Sequence, residues 1–309
     1  MKTLAPFSSV SRPLAGVFVA MLVLAAVAAG GLLFDPRVIT GAPAWLKPLK
    51  FALSIGIYAL GFAWLLGKVS GRPRFVRTAG ALTAAVLVLE AALIFLQAAR
   101  GTTSHYNVAT PFDSVVFRAM GLGIAIAWVI QIATAVLLLR QKFQDPAVAW
   151  TLRAGMVLTA LGAGVGWLMT MPSAAQLEVL QRGVVSVIGA HTVGGPDGGP
   201  GLPFTLWSLG HGDLRVPHFV GLHALQVLPL AGWAGARFAG LRGPVFARAI
   251  SLSYGALFAL LLWQALRGQP VSAPDAAMQA ALAVWLVATA AAVAASARSR
   301  RPAAHLGLP

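Results

Sequence analysis

The stretch Thr78-Ala-Gly-Ala-Leu-Thr-Ala-Ala-Val-Leu-Val-Leu-Glu90-Ala-Ala-Leu-Ile-Phe-Leu-Gln97-Ala-Ala99 is 22 residues long and carries a single formal charge. A hydrocarbon core about 30 Å thick is crossed by about 20 apolar residues at helical rise. The run therefore reads as a membrane span with an acid near its middle. Seven more runs of comparable length flank it: 13–34, 51–67, 119–139, 154–171, 216–236, 249–266 and 276–297. None of those seven holds a formally charged side chain. The expected fold is all-α: an integral membrane bundle of about eight transmembrane helices, occupying residues 1–309 as one transmembrane domain.

Composition agrees. Charged residues make up 10% of the chain, against roughly 25% in soluble domains, so no large soluble domain fits between the runs. The net charge of +15 would suggest nucleic acid in a soluble protein. Here it follows the positive-inside rule. With Lys2 and Arg12 placed in the cytoplasm, fifteen basic residues fall on inner loops and tails and eight on outer ones. Both termini are then cytoplasmic, and the location expected is a bacterial cytoplasmic (inner) membrane. The basic residues interleave with no aromatic platform, which argues against nucleic acid as a partner. The chain has no cysteine, which excludes disulfides, thiolate metal sites and a cysteine nucleophile. The first run follows Lys2 and Arg12 and is rich in alanine, as a signal peptide would be. Its length favours a retained helix; removal would leave seven spans.

This topology sorts the polar residues. Five of six histidines and six of eight acids fall on or near the outer side. Ionisable groups in or beside a bilayer are costly and mark candidate sites. Glu90 shares a helix face with Gln97, and one alternative is that it simply ties helices together, for example through Gln131. The approach to the sixth run reads Gly210-His-Gly-Asp-Leu-Arg-Val-Pro-His-Phe-Val-Gly-Leu-His-Ala-Leu-Gln226. Pro217 suits a first helical turn, so that helix is expected to start there. At about 1.5 Å per residue His223 lies roughly 9 Å below the outer end, and Gln226 and Glu90 both roughly 14 Å below it. The three are level enough to converge if the third and sixth spans touch.

His105, His218 and His223 are the candidate metal ligands, and His105 with His223 the candidate haem pair. Three imidazoles and a carboxylate suffice for zinc or iron, and Gly221 with Ala224 leave room beside His223 for a flat group. Against this, a five-residue spacing turns His218 and His223 about 140° apart on a regular helix. Asp113, His191, Asp197 and His211 lie nearby. Ser54 has no His–Asp partner at a useful spacing. Residues 172–215 form a long outer Gly/Pro-rich loop. Its first part, 174–193, has a broken apolar pattern suited to a short interfacial helix, and its second reads as turns at a pocket mouth.

Three stretches, Ala44–Ser54, Arg100–His105 and Asp213–Gln226, look like segments of a bacterial polytopic membrane-protein family without an assigned activity. The resemblance spans most of the chain and implies no mechanism. Haem A synthase is similar in its eight spans, inner termini and outward histidines, but pairs its histidines across both halves, whereas the seventh and eighth runs here contain none. The alkaline ceramidase and adiponectin-receptor group is similar in combining a membrane serine with metal-ligand histidines. Its late His-x-x-x-His is replaced here by His218 and His223, separated by four residues.

The function expected from these readings is a metal- or haem-dependent membrane enzyme with an outward-facing pocket. Besides the membrane lipids around it, the protein would meet a lipid- or quinone-like substrate there. Glu90, Asp213, Arg215 and Gln226 would carry catalysis, with Glu90 moving protons and Asp213 and Arg215 ordering the entrance. A proton-coupled transporter and a structural or pH-sensing membrane protein are the alternatives.

Overall fold

The computed structural model describes residues 11–183, 185–241 and 243–298. In chain order its elements are α1 (Arg12–Phe34), β1 (Val38–Ile39), β2 (Ala42–Pro43), α2 (Leu46–Leu66), α3 (Pro73–Ala99), α4 (Pro111–Arg140), α5 (Pro146–Thr170), α6 (Ala174–Arg182), β3 (Thr192–Val193), β4 (Gly212–Asp213), α7 (Arg215–Phe238), α8 (Pro244–Leu266) and α9 (Ala276–Arg298). All the helices but α6 are long and apolar enough to cross a membrane, giving eight spans among the described residues. The protein is a multi-pass membrane protein.

Most helices begin several residues before their apolar runs. Proline in the first turn explains this for α3, α4, α5 and α8: its missing N–H is one the helix leaves unpaired anyway, and its φ is already helical. Two of these starts are also capped by side chains. Thr110 accepts from the Asp113 amide and Asp145 from the Ala147 and Val148 amides. Thr110→Val is expected to cost about 1 kcal/mol, read as a lowered unfolding midpoint in detergent. α7 departs from expectation by starting at Arg215, two residues before Pro217. Pro217 remains in the first turn, where no intrahelical N–H is lost.

The helices alternate in direction, so loops 35–45, 100–110, 171–214 and 267–275 gather at one end, hereafter the histidine end. Two groups of helices result. In the first, α1, α2 and α3 pack on one another and α4 on α3; in the second, α5, α7 and α8 pack on one another and α9 on α8. The α4–α5 contact joins them. Among the described residues the most extensive helix–helix contact is between α5 and α7. There the Gly162 and Gly221 backbones touch, and the Thr159 hydroxyl donates to the Leu222 carbonyl at 3.3 Å. Small residues at a crossing let two backbones approach, which is how membrane helices gain packing without a hydrophobic driving force.

Two short hairpins interrupt the all-helical pattern, both at the histidine end. β1 pairs with β2 across Thr40 and Gly41, both at positive φ, the backbone of a two-residue turn whose twist matches its strands. β3 pairs with β4, closing residues 194–211 into a compartment of the long loop. The interfacial helix expected over 174–193 is confined to α6, where Ser173 and Gln176 form a reciprocal capping box. Gln176 then clamps both backbone groups of Gly189, at 3.0 and 2.9 Å. Beyond α6 the chain crosses the neighbouring loop, with Val108 N donating to Ser186 O and Ile188 N to Tyr106 O.

Candidate functional site

α3 delivers Glu90 to the interior near the histidine end, 4% exposed. The chain then leaves α3 through Arg100, whose guanidinium meets the Asp113 carboxylate at 2.6 Å. Gln97 donates to the same carboxylate at 2.8 Å, so the 100–110 loop is held tightly over its helix. Asn107 braces it from within, donating to Thr102 Oγ1 and to the Thr103 carbonyl. The result is that His105 hangs back over α3, with Nε2 3.6 Å from Glu90 Oε1. Its other nitrogen, Nδ1, lies 3.2 Å from Lys47 Nζ and 3.0 Å from Ser104 Oγ. Phe51, one helical turn from Lys47, packs its ring against the imidazole.

An ammonium group has donors only. Lys47 therefore makes Nδ1 an acceptor, which leaves the ring proton of neutral His105 on Nε2, facing Glu90. Burial keeps His105 well below the ordinary histidine pKa, and the charges of Lys47 and His218 push the same way. Lys47, His105 and Glu90 thus form one chain of polar groups, with the ammonium attracting the carboxylate. An ionisable group this deep is costly; the arrangement sets a neutral imidazole between Glu90 and the Lys47 ammonium.

The other expected site residues are placed differently. Asp213 accepts from the amides of Ser208 and Arg215, and from Arg215 Nε and Nη2. Every lone-pair direction of that carboxylate has a donor, so Asp213 and Arg215 form a structural pair where β4 enters α7. Burial raises the Asp213 pKa, but Arg215 and the Ser208 amide outweigh it, leaving the group below the ordinary carboxylate value. Gln226 does not meet Glu90. Its amide lies against Gly61 of α2, and with nitrogen toward its own helix it donates to the His223 and Leu222 carbonyls. Gln131 is likewise separate from Glu90: its carbonyl accepts from the Tyr58 hydroxyl at 3.1 Å. α3 and α7, whose touching would have let Glu90, His223 and Gln226 converge, are not a packed helix pair: α3 packs on α1, α2 and α4, and α7 on α5 and α8.

The metal and haem expectations find no support in the arrangement of these side chains. Among the described residues no three His, Asp or Glu side chains converge to hold a metal ion. His218 Nδ1 is 2.7 Å from the Gly162 carbonyl, His223 lies on the Phe219 ring at 4.3 Å between centroids, and His105 is engaged with Lys47. A cation beside Lys47 would also be repelled. The space expected beside Gly221 and Ala224 is filled by α5: a Cβ on Gly221 would lie 2.5 Å from Gly162 Cα. Those small residues serve helix packing.

His191 stands at the loop compartment, 3.2 Å from Asp197 and 3.9 Å from Asp213. Burial depresses its pKa, aided by Arg215 and opposed by the two carboxylates. A histidine with a depressed folded pKa contributes stability that is full above the unfolded value, near 6.5, and is lost as pH falls below it. Hydrogen exchange of residues 186–214 is therefore expected to quicken as pH falls from 7 toward 5, after correction for intrinsic rates. His191→Gln should flatten that trend.

Sequence reasoning missed Lys47 and Lys50. Both were counted as outer-loop charges because the apolar run begins at residue 51, whereas α2 begins at Leu46. Their three-residue spacing ahead of an apolar run, which puts both on one face of an extended helix, was the available signal. Compared with protein-family models, curated proteins and solved structures, the chain finds no match.

Proposed function

We propose that the protein is a membrane-embedded enzyme of the bacterial cytoplasmic membrane, with both termini inside. Its reaction is a proton transfer on a lipid- or quinone-like molecule entering from the outward-facing histidine end. The observation that carries this reading is the Lys47–His105–Glu90 chain, buried and confined to one end of the bundle. Glu90 accepts the Nε2 proton of His105 as Nδ1 takes one from the Lys47 ammonium, and Lys47 is reprotonated by the molecule acted on, so the proton lost there ends on Glu90. The excess of basic residues on the opposite loops supports the orientation.

A transporter would need a path to the other side. Below Glu90 the bundle is closed by Phe62, Leu65, Leu66, Leu138, Leu152 and Met156, each less than 2% exposed. Polar groups within that region are few: Tyr58 bonds Gln131, Thr134 bonds the Ile130 carbonyl of its own helix, and Thr83 Oγ1 and Gln131 Nε2 are buried without a hydrogen-bond partner. This supports a one-sided site.

The test uses protein in nanodiscs made from a bacterial lipid extract, with lipids and quinones profiled by mass spectrometry over time. A species whose turnover falls about 10²–10⁴-fold in Glu90→Gln, the usual range for a lost acid–base group, and falls comparably in His105→Gln supports the reading. Proteoliposomes that instead show Glu90-dependent proton flux in response to a pH gradient would replace it with transport.

A further inference from the structure

Lys50 lies one turn beyond Lys47 on α2 and is partly buried. Among the described residues no carboxylate comes within 4 Å of either ammonium, since neither forms an ion pair. Lys50 Nζ instead donates to the Thr205 carbonyl at 3.2 Å. The next carbonyl along, that of Leu206, accepts from Arg215 Nη2 at 2.5 Å. Two cations, one from each group of helices, thus meet on neighbouring peptide units, close enough to repel one another.

The segment between them is strained. Thr205 N donates to the Pro203 carbonyl at 2.7 Å, a three-residue turn centred on Phe204 at φ +64°. Turns of this kind with a positive central φ are the rare and strained ones. Leu206, on the other side of Thr205, is also left-handed at φ +58°. Two non-glycine residues in this region cost of order 1–3 kcal/mol each and persist only where their surroundings hold them. Here the surroundings are a closed loop: Leu202 N donates to Trp207 O, Leu209 N to Pro200 O, and Gly201 pairs with Ser208. The Thr205 hydroxyl is buried and has no hydrogen-bond partner. His223, tilted against the Phe219 ring, and Trp207, edge-on to the same ring, form an aromatic strip alongside.

We propose that Lys50, Arg215 and the Thr205 hydroxyl form a subsite for an anionic group, phosphate or carboxylate, on the molecule the protein acts on. The Thr205 and Leu206 carbonyls occupy the two cations, and the anion takes their place as the 200–209 loop relaxes. Arg215 keeps Asp213 on Nε and on one Nη2 hydrogen, and offers the Nη2 hydrogen that the Leu206 carbonyl releases. The Trp207–Phe219–His223 strip then covers the apolar part next to the headgroup. This inference rests on the reading that substrate enters from the histidine end, but not on the proton step.

The test compares purified wild-type protein with Lys50→Gln, Lys50→Arg, Thr205→Val and Glu90→Gln, each shown to be helical and monodisperse. Co-purified phospholipid is quantified after extensive detergent washing, and thermal unfolding is followed with inorganic phosphate or succinate added. Phosphatidylglycerol retained by the wild type, by Lys50→Arg and by Glu90→Gln but reduced at least tenfold in Lys50→Gln assigns a lipid headgroup. Saturable stabilisation by phosphate or succinate, without retained lipid and abolished in Lys50→Gln, assigns a free anion. Thr205→Val should weaken either response without removing it, which keeps the test open if Lys50→Gln misfolds. Wild-type behaviour in both assays from folded Lys50→Gln or Thr205→Val overturns the proposal. Loss of Glu90-dependent turnover with anion binding intact bears on the proton step alone, so the two readings fail separately.

Discussion

Gly162→Ala is expected to melt the bundle well below the wild type, although it adds one methyl group. A Cβ at this position would lie 2.6 Å from the Gly221 Cα and carbonyl carbon and 2.7 Å from Leu222 N, all backbone atoms that no side-chain rotamer can move. α5 and α7 must separate, and Thr159 then loses its 3.3 Å hydrogen bond to Leu222 O. His218, which reaches across the same crossing to Gly162 O, is displaced as well. Overpacking of this kind costs about 1–3 kcal/mol and sometimes more, and the lost hydrogen bonds add to it. Gly16→Ala is the control. Nothing lies within 4 Å of a Cβ there, and alanine is favoured over glycine inside a helix by roughly 0.5–1 kcal/mol. Its unfolding midpoint should hold or rise. Equal midpoints for the two variants, by circular dichroism in one detergent, would remove the close crossing from the account.

The second large effect is at Arg215. Arg215→Met leaves Asp213, whose side chain is fully buried, without its guanidinium. Removing one partner of a buried ion pair costs about 3–5 kcal/mol, chiefly because the remaining charge is stranded. The pH dependence then changes sign. In the wild type the Asp213 pKa lies below its unfolded value, so its contribution is present above that value, near 3.9, and fades as pH falls through the folded one. In Arg215→Met burial prevails and the folded pKa is raised, so the variant loses stability as pH rises through it. The deficit against wild type should be larger at pH 7 than at pH 4.5. Asp213→Asn in the Arg215→Met background should recover much of the loss at pH 7. A deficit independent of pH, with no recovery in the double variant, would mean that Arg215 contributes through packing alone. Because Arg215 also belongs to the proposed anion subsite, this cycle is read on stability and Lys50 is kept for binding.

The eight spans were legible because the signal for them is local. Length and hydropathy decide whether a helix suits a bilayer, and each run in 78–99, 154–171 or 276–297 carries that information by itself. The boundaries were less legible. α2 extends back through Lys47 and Lys50, and α4 through Asp113, because a helix continues past the apolar core wherever its polar side chains find partners. Glu90 could be singled out from its cost alone. Its partner could not, since His105 reaches it only through the fold-back of residues 100–110, braced by Asp113 and Asn107.

The sequence by itself determined a polytopic helical protein, the gathering of histidines and acids at one end, and the isolation of Glu90 in an apolar span. These follow from one-dimensional properties: apolar length, charge count and alternation of direction. Only the tertiary structure decided which groups meet. It gave Glu90 to His105 and Lys47, spent Gly221 on contact with α5, turned Gln226 toward α2, and set Lys50 and Arg215 on adjacent carbonyls of one strained turn. Helix rotation and neighbour choice depend on how close two backbones can come and on which buried polar groups can be satisfied together. Both are properties of pairs of elements, and neither is written in any single span.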